Sequence, residues 1–190
     1  FATHPTLQCE VVAVDVVDQR LLRKGYVFYQ VEGISLPFHD GHFDVVITNH
    51  VIEHVGGLDD QRNHLREVHR VMNSKGVGYL AVPNRWMLVE PHYRLAFLSW
   101  LPLAWRTPYL RAMKRGMDYD CNPVSLPELE GLLADAQFLY ENISVRALRE
   151  TLHIEGSKGP LATVAARLPD AMLNQLSPIN PTLIYKLTRL

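Results

Sequence analysis

Residues 34–55 read ISLPFHDGHFDVVITNHVIEHV. Within them, Phe43-Asp44-Val45-Val46-Ile47-Thr48 is a short hydrophobic strand that runs straight into a polar cluster of Asn49, His50, Glu53 and His54. Asp40-Gly41 is a turn signal between Phe38 and that strand. In an α/β sheet, ligands bind where parallel strands end, so polar side chains crowded at this boundary predict a site.

The flanks carry the same strand-and-helix alternation. Upstream, Val11-Val12-Ala13-Val14 is a continuous β-branched run ending in Asp15, as expected of a parallel strand buried on both faces. Asp18 to Lys24 is expected to form a short helix closed by Gly25, and Tyr26 to Val31 a second strand. Downstream, a helix starts at Leu58-Asp59-Asp60, buries Leu65, Val68, Val71 and Met72, and is expected to end at Gly76. A strand at Val77 to Val82 stops at Pro83-Asn84. From Trp86 to Tyr119 the pattern turns irregular, aromatic and proline-punctuated, which in an insertion after a strand suggests an active-site cover. Ser125-Leu126-Pro127-Glu128 is a helix start with a capping serine, and Leu129, Leu132 and Leu133 are its apolar face. Strands are then expected near Phe138 to Leu148 and Thr182 to Thr188, with a helix at Leu161 to Leu176 between them. The alternation describes a three-layer α/β sheet in one domain spanning 1–190, with the cover at about 86–120.

Composition narrows the function classes. The 190 residues are 47% hydrophobic and 21% charged, in the ordinary range for a soluble globular protein with a proper core. A net charge of −1 gives no electrostatic footprint for nucleic acid. Cys9 and Cys121 fit no metal or redox spacing, which favours a reducing compartment. The apolar stretch Leu95 to Trp105 is interrupted by Ser99 and Pro102, so no membrane span is expected and the default location is cytoplasmic. The first residues are not a signal peptide.

Taken in order, VVAVD, LPF, FDVVITNHVIEHV, HLREVHRVMNSKG and GYLAVPN resemble the class I S-adenosylmethionine-dependent methyltransferases. The closing NPTLIYKLTR is similar to that family's last strand. The likeness is good over residues 10 to 85 and loose over 125 to 190. It implies a Rossmann-like sheet, mostly parallel with an antiparallel last strand, in the order 3-2-1-4-5-7-6. It also implies a first strand, a helix and a glycine-rich loop ahead of Val11, where only ten residues stand. The expectation is a domain whose front end is cut away, and whose incomplete sheet favours pairing with a second copy.

The resemblance implies roles for particular residues. Asp15 would accept two hydrogen bonds from a ribose diol; a turn acid is the alternative. Glu32 and Gly33 would lie near the adenine, with a solvated surface acid as the alternative for Glu32. Asn49 and His50 would flank the methionine end of the cofactor and the methyl acceptor. Asn84 would line the acceptor side, unless it is simply a turn asparagine. Glu90, His92 and Tyr93, in the cover, would bind a small-molecule acceptor. Methyl transfer to oxygen needs a base near neutral pH, and His50 followed by His92 are the candidates. Trp86, Phe97, Trp100 and Trp105 either enclose an apolar acceptor cavity or simply cover the sheet.

His50, Glu53 and His54 also admit a metal reading. H-x-x-E-H has the order of inverted zinc peptidases, but it follows a buried strand and stops after one turn at Gly56-Gly57. Plant small-RNA terminal methyltransferases and some quinone O-methyltransferases resemble this stretch more closely, with E-x-x-E-H holding a divalent ion. Here His50 replaces the first acid, which shifts preference from Mg²⁺ toward Zn²⁺ or Mn²⁺, and His92 is a candidate fourth ligand. The leading expectation remains a methyltransferase without metal. A non-catalytic interaction module that kept the fold is the alternative from another class.

Overall fold

The computed structural model describes residues 4, 6–156 and 159–190. Two sheets carry the chain. Strands β1 (Val12–Asp15) and β2 (Val27–Gln30) form a parallel pair that, among the described residues, is joined by no ladder to the rest. The main sheet has the order β3-β4-β8-β7, built from β3 (Phe43–Asn49), β4 (Met72–Pro83), β7 (Phe138–Asn142) and β8 (Thr182–Arg189). β3 and β4 pair in parallel, while β8 lies between β4 and β7 and is antiparallel to both. The expected sheet was mostly parallel. Because the single reversed strand is inserted between two others, two of the three pairings in this sheet are antiparallel.

Helix α1 (Leu58–Val71) crosses from β3 to β4. Asp60 takes the Gly57 N–H at its start (3.0 Å). Its buried stripe of Gln61, Leu65, Val68 and Val71 faces the sheet, as the 3.6-residue period dictates. The helix does not run to Gly76: Met72 already has strand dihedrals and opens β4, because its side chain is wanted in the core. Helix α3 (Leu126–Asp135) lies beside α1, with Glu128 accepting from the Ser125 N–H (2.8 Å) and hydroxyl (2.7 Å). Leu65, Val68, Leu80, Val82, Leu129, Leu133, Leu183, Tyr185 and Leu187 form the core between these helices and one face of the sheet. β8 approaches β4 closely at Gly78, where a Cβ would come within 2.9 Å of that of Leu187.

The other face is covered in part, which corrects the three-layer expectation. α4 (Ser144–Glu155) packs on β8, with α5 (Pro160–Arg167) and α6 (Asp170–Gln175) against it. Val45 and Ile47 of β3 stay 62% and 49% exposed. Three further expectations are corrected. Asp18 to Lys24 holds no helix, since Leu21 and Leu22 stand in solvent with nothing to pack against. The strand from Phe138 ends at Asn142, whose Oδ1 accepts the Ser144 N–H (3.0 Å) and starts α4. The Leu161 to Leu176 helix is broken by Leu168-Pro169 into α5 and α6. The cover contains a two-strand ribbon, β5 (Val89–Glu90) with β6 (Leu95–Ala96), and helix α2 (Leu103–Ala112). No helix among the described residues is long and apolar enough to cross a membrane.

Arg70, near the end of α1, fixes the segment ahead of β3. Its guanidinium donates to the carbonyls of Leu36 (3.0 Å) and Phe38 (2.7 Å) and to Asp40 (2.8 Å) and Glu67 (2.7 Å). Glu67 in turn takes the Leu36 N–H at 2.8 Å, and the Arg70 hydrogen bonds hold its carboxyl below the usual range.

Two other α1 residues give the fold a pH dependence. Burial holds His64 below the ordinary imidazole pKa, and burial with Arg189 does the same to His69; the Nε2 of each is sealed from solvent without a partner. The unfolded chain therefore binds these protons at a higher pH than the folded one, so stability is full above about pH 6.5 and falls as pH drops through the folded pKa values. Urea midpoints measured from pH 8 to 5.5 should decline, and His64→Gln should flatten part of the decline. A wild-type midpoint that rises on acidification contradicts this assignment.

Candidate functional site

The site is built on the turn that follows β3. His50 is the first residue past the strand, donates its N–H to the Ala81 carbonyl (2.8 Å), and adopts φ +54. This left-handed conformation is uncommon outside glycine, asparagine and a few others, and such residues cluster at functional sites. The chain then makes one 3₁₀ turn, Ile52–His54, whose Ile52 and Glu53 are buried while His54 faces outward. Glu53 is 0% exposed. His50 Nδ1 lies 3.3 Å and His54 Nε2 3.9 Å from its Oε1, and neither carboxylate oxygen is met by a well-aligned hydrogen bond. The Glu53 carboxylate raises His50 above the ordinary imidazole value, against the opposing effect of burial.

A second wall comes from the cover. The β5–β6 ribbon turns through residues 91–94, and Glu90, 1% exposed, organises that turn. Its Oε2 accepts the Tyr93 N–H (2.7 Å) and its Oε1 lies 2.6 Å from His92 Nδ1. The His92 ring stands 5.4 Å from that of His54 and 6.5 Å from that of His50, centroid to centroid. His50, Glu53, His54, Glu90 and His92 are thus brought together.

The third wall, Asp120–Asn122, was not anticipated as part of the site. It is latched to the turn after β3: Asn122 N–H donates to the Glu53 carbonyl (2.7 Å), and its side chain to the Gly56 carbonyl (3.1 Å). Buried Gln61 of α1 donates to the Asn122 carbonyl (2.8 Å) and clamps the latch from below. Tyr93 donates its hydroxyl to Asp120 (2.8 Å). Burial and this contact hold Tyr93 above the usual phenol range, so it stays protonated and is not a base. Cys121 Sγ sits 3.8 Å from His54 Nδ1, 4.0 Å from His92 Nδ1 and 3.4 Å from Asp120 Oδ1. Burial, then Asp120, pushes the Cys121 thiol far up, which removes it as a nucleophile at neutral pH.

The remaining predicted residues are elsewhere. Asp15 ends β1 exposed, with Oδ1 accepting the Val17 N–H (3.2 Å) as a turn acid does and, among the described residues, no partner on Oδ2. Glu32 is exposed beyond β2, and Gly33 has φ +69 with open space over its Cα. Asn49 is exposed at the end of β3. Asn84 does not line an acceptor site: it is fully buried, donates to the Pro178 (2.9 Å) and Asn180 (2.8 Å) carbonyls, and accepts the Trp86 N–H (3.1 Å). The cover aromatics lie at the surface. Trp86, Phe97 and Trp100 pack on one another at 38 to 52% exposure, and Trp105 is 68% exposed. A cleft of about 320 Å³ lies beside them instead, lined by Gln61, Arg85, Leu103, Arg106, Asn122 and Glu128 among others.

Residues 2–80 match the family model described as a methyltransferase domain, a span that holds Asp15, Glu32, His50 and Glu53. No curated protein matches the chain in sequence. Among solved structures, it resembles an S-adenosylmethionine-dependent methyltransferase of Mesorhizobium loti at TM-score 0.55 and 14% identity, covering 95% of this chain and 80% of that one. One from Methanosarcina mazei gives 0.53 and 15%, over 95% and 82%. The YcgJ protein of Bacillus subtilis gives 0.51 and 16%, over 95% and 83%. These identities speak for the fold. The fold is that of class I methyltransferases. The family match covers residues 2–80 of the 190.

Proposed function

We propose that this chain transfers a methyl group to a small-molecule acceptor, with His50 as the base. The observation that carries the reading is the gathering of His50, Glu53, Glu90 and His92 just past the end of β3, in a chain whose residues 2–80 match a methyltransferase-domain model. Side chains free for the donor support it. Asp15 keeps one carboxylate oxygen unused for a ribose hydroxyl, and Glu32 and the open backbone at Gly33 suit an adenine. Asn49 and His50 would face the methionine end.

The bound sulfonium supplies an already activated methyl group, so the protein has only to align the acceptor and keep water out. His50 has Glu53 near its Nδ1, which leaves Nε2 to take the acceptor proton. Buried Glu53 orients the ring and stabilises the imidazolium that forms. His92, held by Glu90, would hydrogen-bond the acceptor, with Tyr93 beside it as a neutral donor.

Titration calorimetry with S-adenosylmethionine, followed by tritium transfer from labelled donor to a panel of phenols and nitrogen heterocycles, tests the reading. Heat and label in at least one acceptor are expected. A folded chain that shows no heat up to about 1 mM donor is a non-catalytic module, and the proposal fails.

A further inference from the structure

Three segments far apart in sequence bring His54, His92 and Cys121 together, so that one ligand atom from each lies within 4.8 Å of the other two. The sulfur stands 3.8 and 4.0 Å from the two Nδ1 atoms. A tetrahedral zinc ion, with bonds of about 2.3 Å to sulfur and 2.0–2.1 Å to nitrogen, needs these ligands about 3.6 Å apart. The two sulfur–nitrogen distances are therefore within about half an ångström of that value, and the third side of the triangle is no longer than 4.8 Å.

The surroundings point the same way. Each of the three has its own carboxylate: Glu90 at 2.6 Å from His92, Glu53 at 3.9 Å from His54, and Asp120 at 3.4 Å from Cys121. Glu53 meets the Nε2 of His54, opposite the Nδ1 that faces the sulfur, which is the usual outer-shell placement at a metal site. Glu90, by contrast, meets the Nδ1 of His92 and gives way when that nitrogen ligates. Glu53 is wholly buried without a well-made hydrogen bond, and Glu90 is almost as buried. Buried carboxylates are costly unless paired, and a dication among them would offset that cost.

We propose that His54, His92 and Cys121 form a binding site for a soft or borderline divalent ion, zinc first, which clasps the cover to the end of β3. Two imidazoles and a thiolate suit zinc and exclude magnesium by donor type. The site draws His92 from the β5–β6 turn and Cys121 from the 118–122 segment onto the turn that also holds His50. It goes beyond the methyl-transfer reading and stands whether or not the chain binds the donor.

Cobalt(II) added to the chelator-treated 190-residue chain is the test. Near-ultraviolet thiolate-to-cobalt charge transfer and the visible bands of a tetrahedral ion are expected, saturating at one equivalent. The chain has two cysteines, so the source is separable: Cys121→Ser should abolish the charge-transfer band and Cys9→Ser should keep it. His92→Gln, at an exposed position that tolerates polar replacement, should lose the tetrahedral bands. Glu53→Gln, at the carboxylate beside the non-ligating nitrogen of His54, should weaken zinc by about 10–100-fold. Absence of the band in the parent chain, its survival in Cys121→Ser, or unchanged affinity in His92→Gln each overturns the site.

Discussion

Replacing His50 by asparagine is expected to slow methyl transfer to an oxygen acceptor by about 10²–10⁴-fold, the range lost when a general base is removed. Asparagine is the right probe because the position has φ +54, a conformation it accepts readily. Its amide can still donate toward Glu53, so the buried carboxylate is not left bare. A leucine would confound the result. It would add backbone strain of roughly 1–3 kcal/mol at this dihedral and strip Glu53 of its nearest partner. Donor affinity and the melting curve of His50→Asn should therefore match the parent chain while turnover collapses. Single-turnover rates with labelled donor, beside calorimetric donor affinity, separate these effects. An unchanged rate would remove His50 from the chemistry, and a parallel loss of donor affinity would make it a binding residue instead.

The part of the fold that reads from sequence is the part set by local periodicity. The run at 43–48 and the stripe Leu65, Val68, Val71 each state their own partner face, and β3 and the start of α1 stand where those patterns put them, while β4 opens at Met72 rather than Val77. Helix propensity without a face to bury is another matter. Seven residues at 18–24 cannot nucleate a helix in water, and Leu21 at 99% exposure has no core to join. Asn142 caps α4, but aromatic Phe138 and Tyr140 before it and β-branched Ile143 and Val145 after it read as one longer strand.

The site divides the same way. His50, Glu53 and His54 are neighbours in sequence, and their clustering needs only one turn of backbone. Cys121 is 67 positions from His54 and 29 from His92, and no spacing rule links them. Only the latch from Asn122 to the Glu53 and Gly56 carbonyls, clamped by Gln61, creates that proximity. The one legible clue was a polar run, Asp118-Tyr119-Asp120-Cys121-Asn122, closing an otherwise apolar cover.

Asn84→Leu is expected to destabilise the fold by about 3–5 kcal/mol, since buried groups left unpaired cost about 1–3 kcal/mol each. The side chain ends β4 and has every hydrogen-bonding group but one lone pair engaged. Its two N–H groups hold the carbonyls of Pro178 and Asn180, in the turn that feeds β8, and its Oδ1 holds the Trp86 N–H at the start of the cover. Leucine has the same number and branching of side-chain heavy atoms and is bulkier, so it fills the space and keeps water from replacing the amide. Two carbonyls and an N–H then lose their partner in the interior. Against the 5–15 kcal/mol typical of a domain, the loss is a large share of the total. Asn84→Ala should cost less, because the space it opens admits water to the same groups. Urea unfolding of both variants gives the ordering directly. If leucine is tolerated as well as alanine, these carbonyls already have other partners, and the cover is not anchored to β8 through this residue.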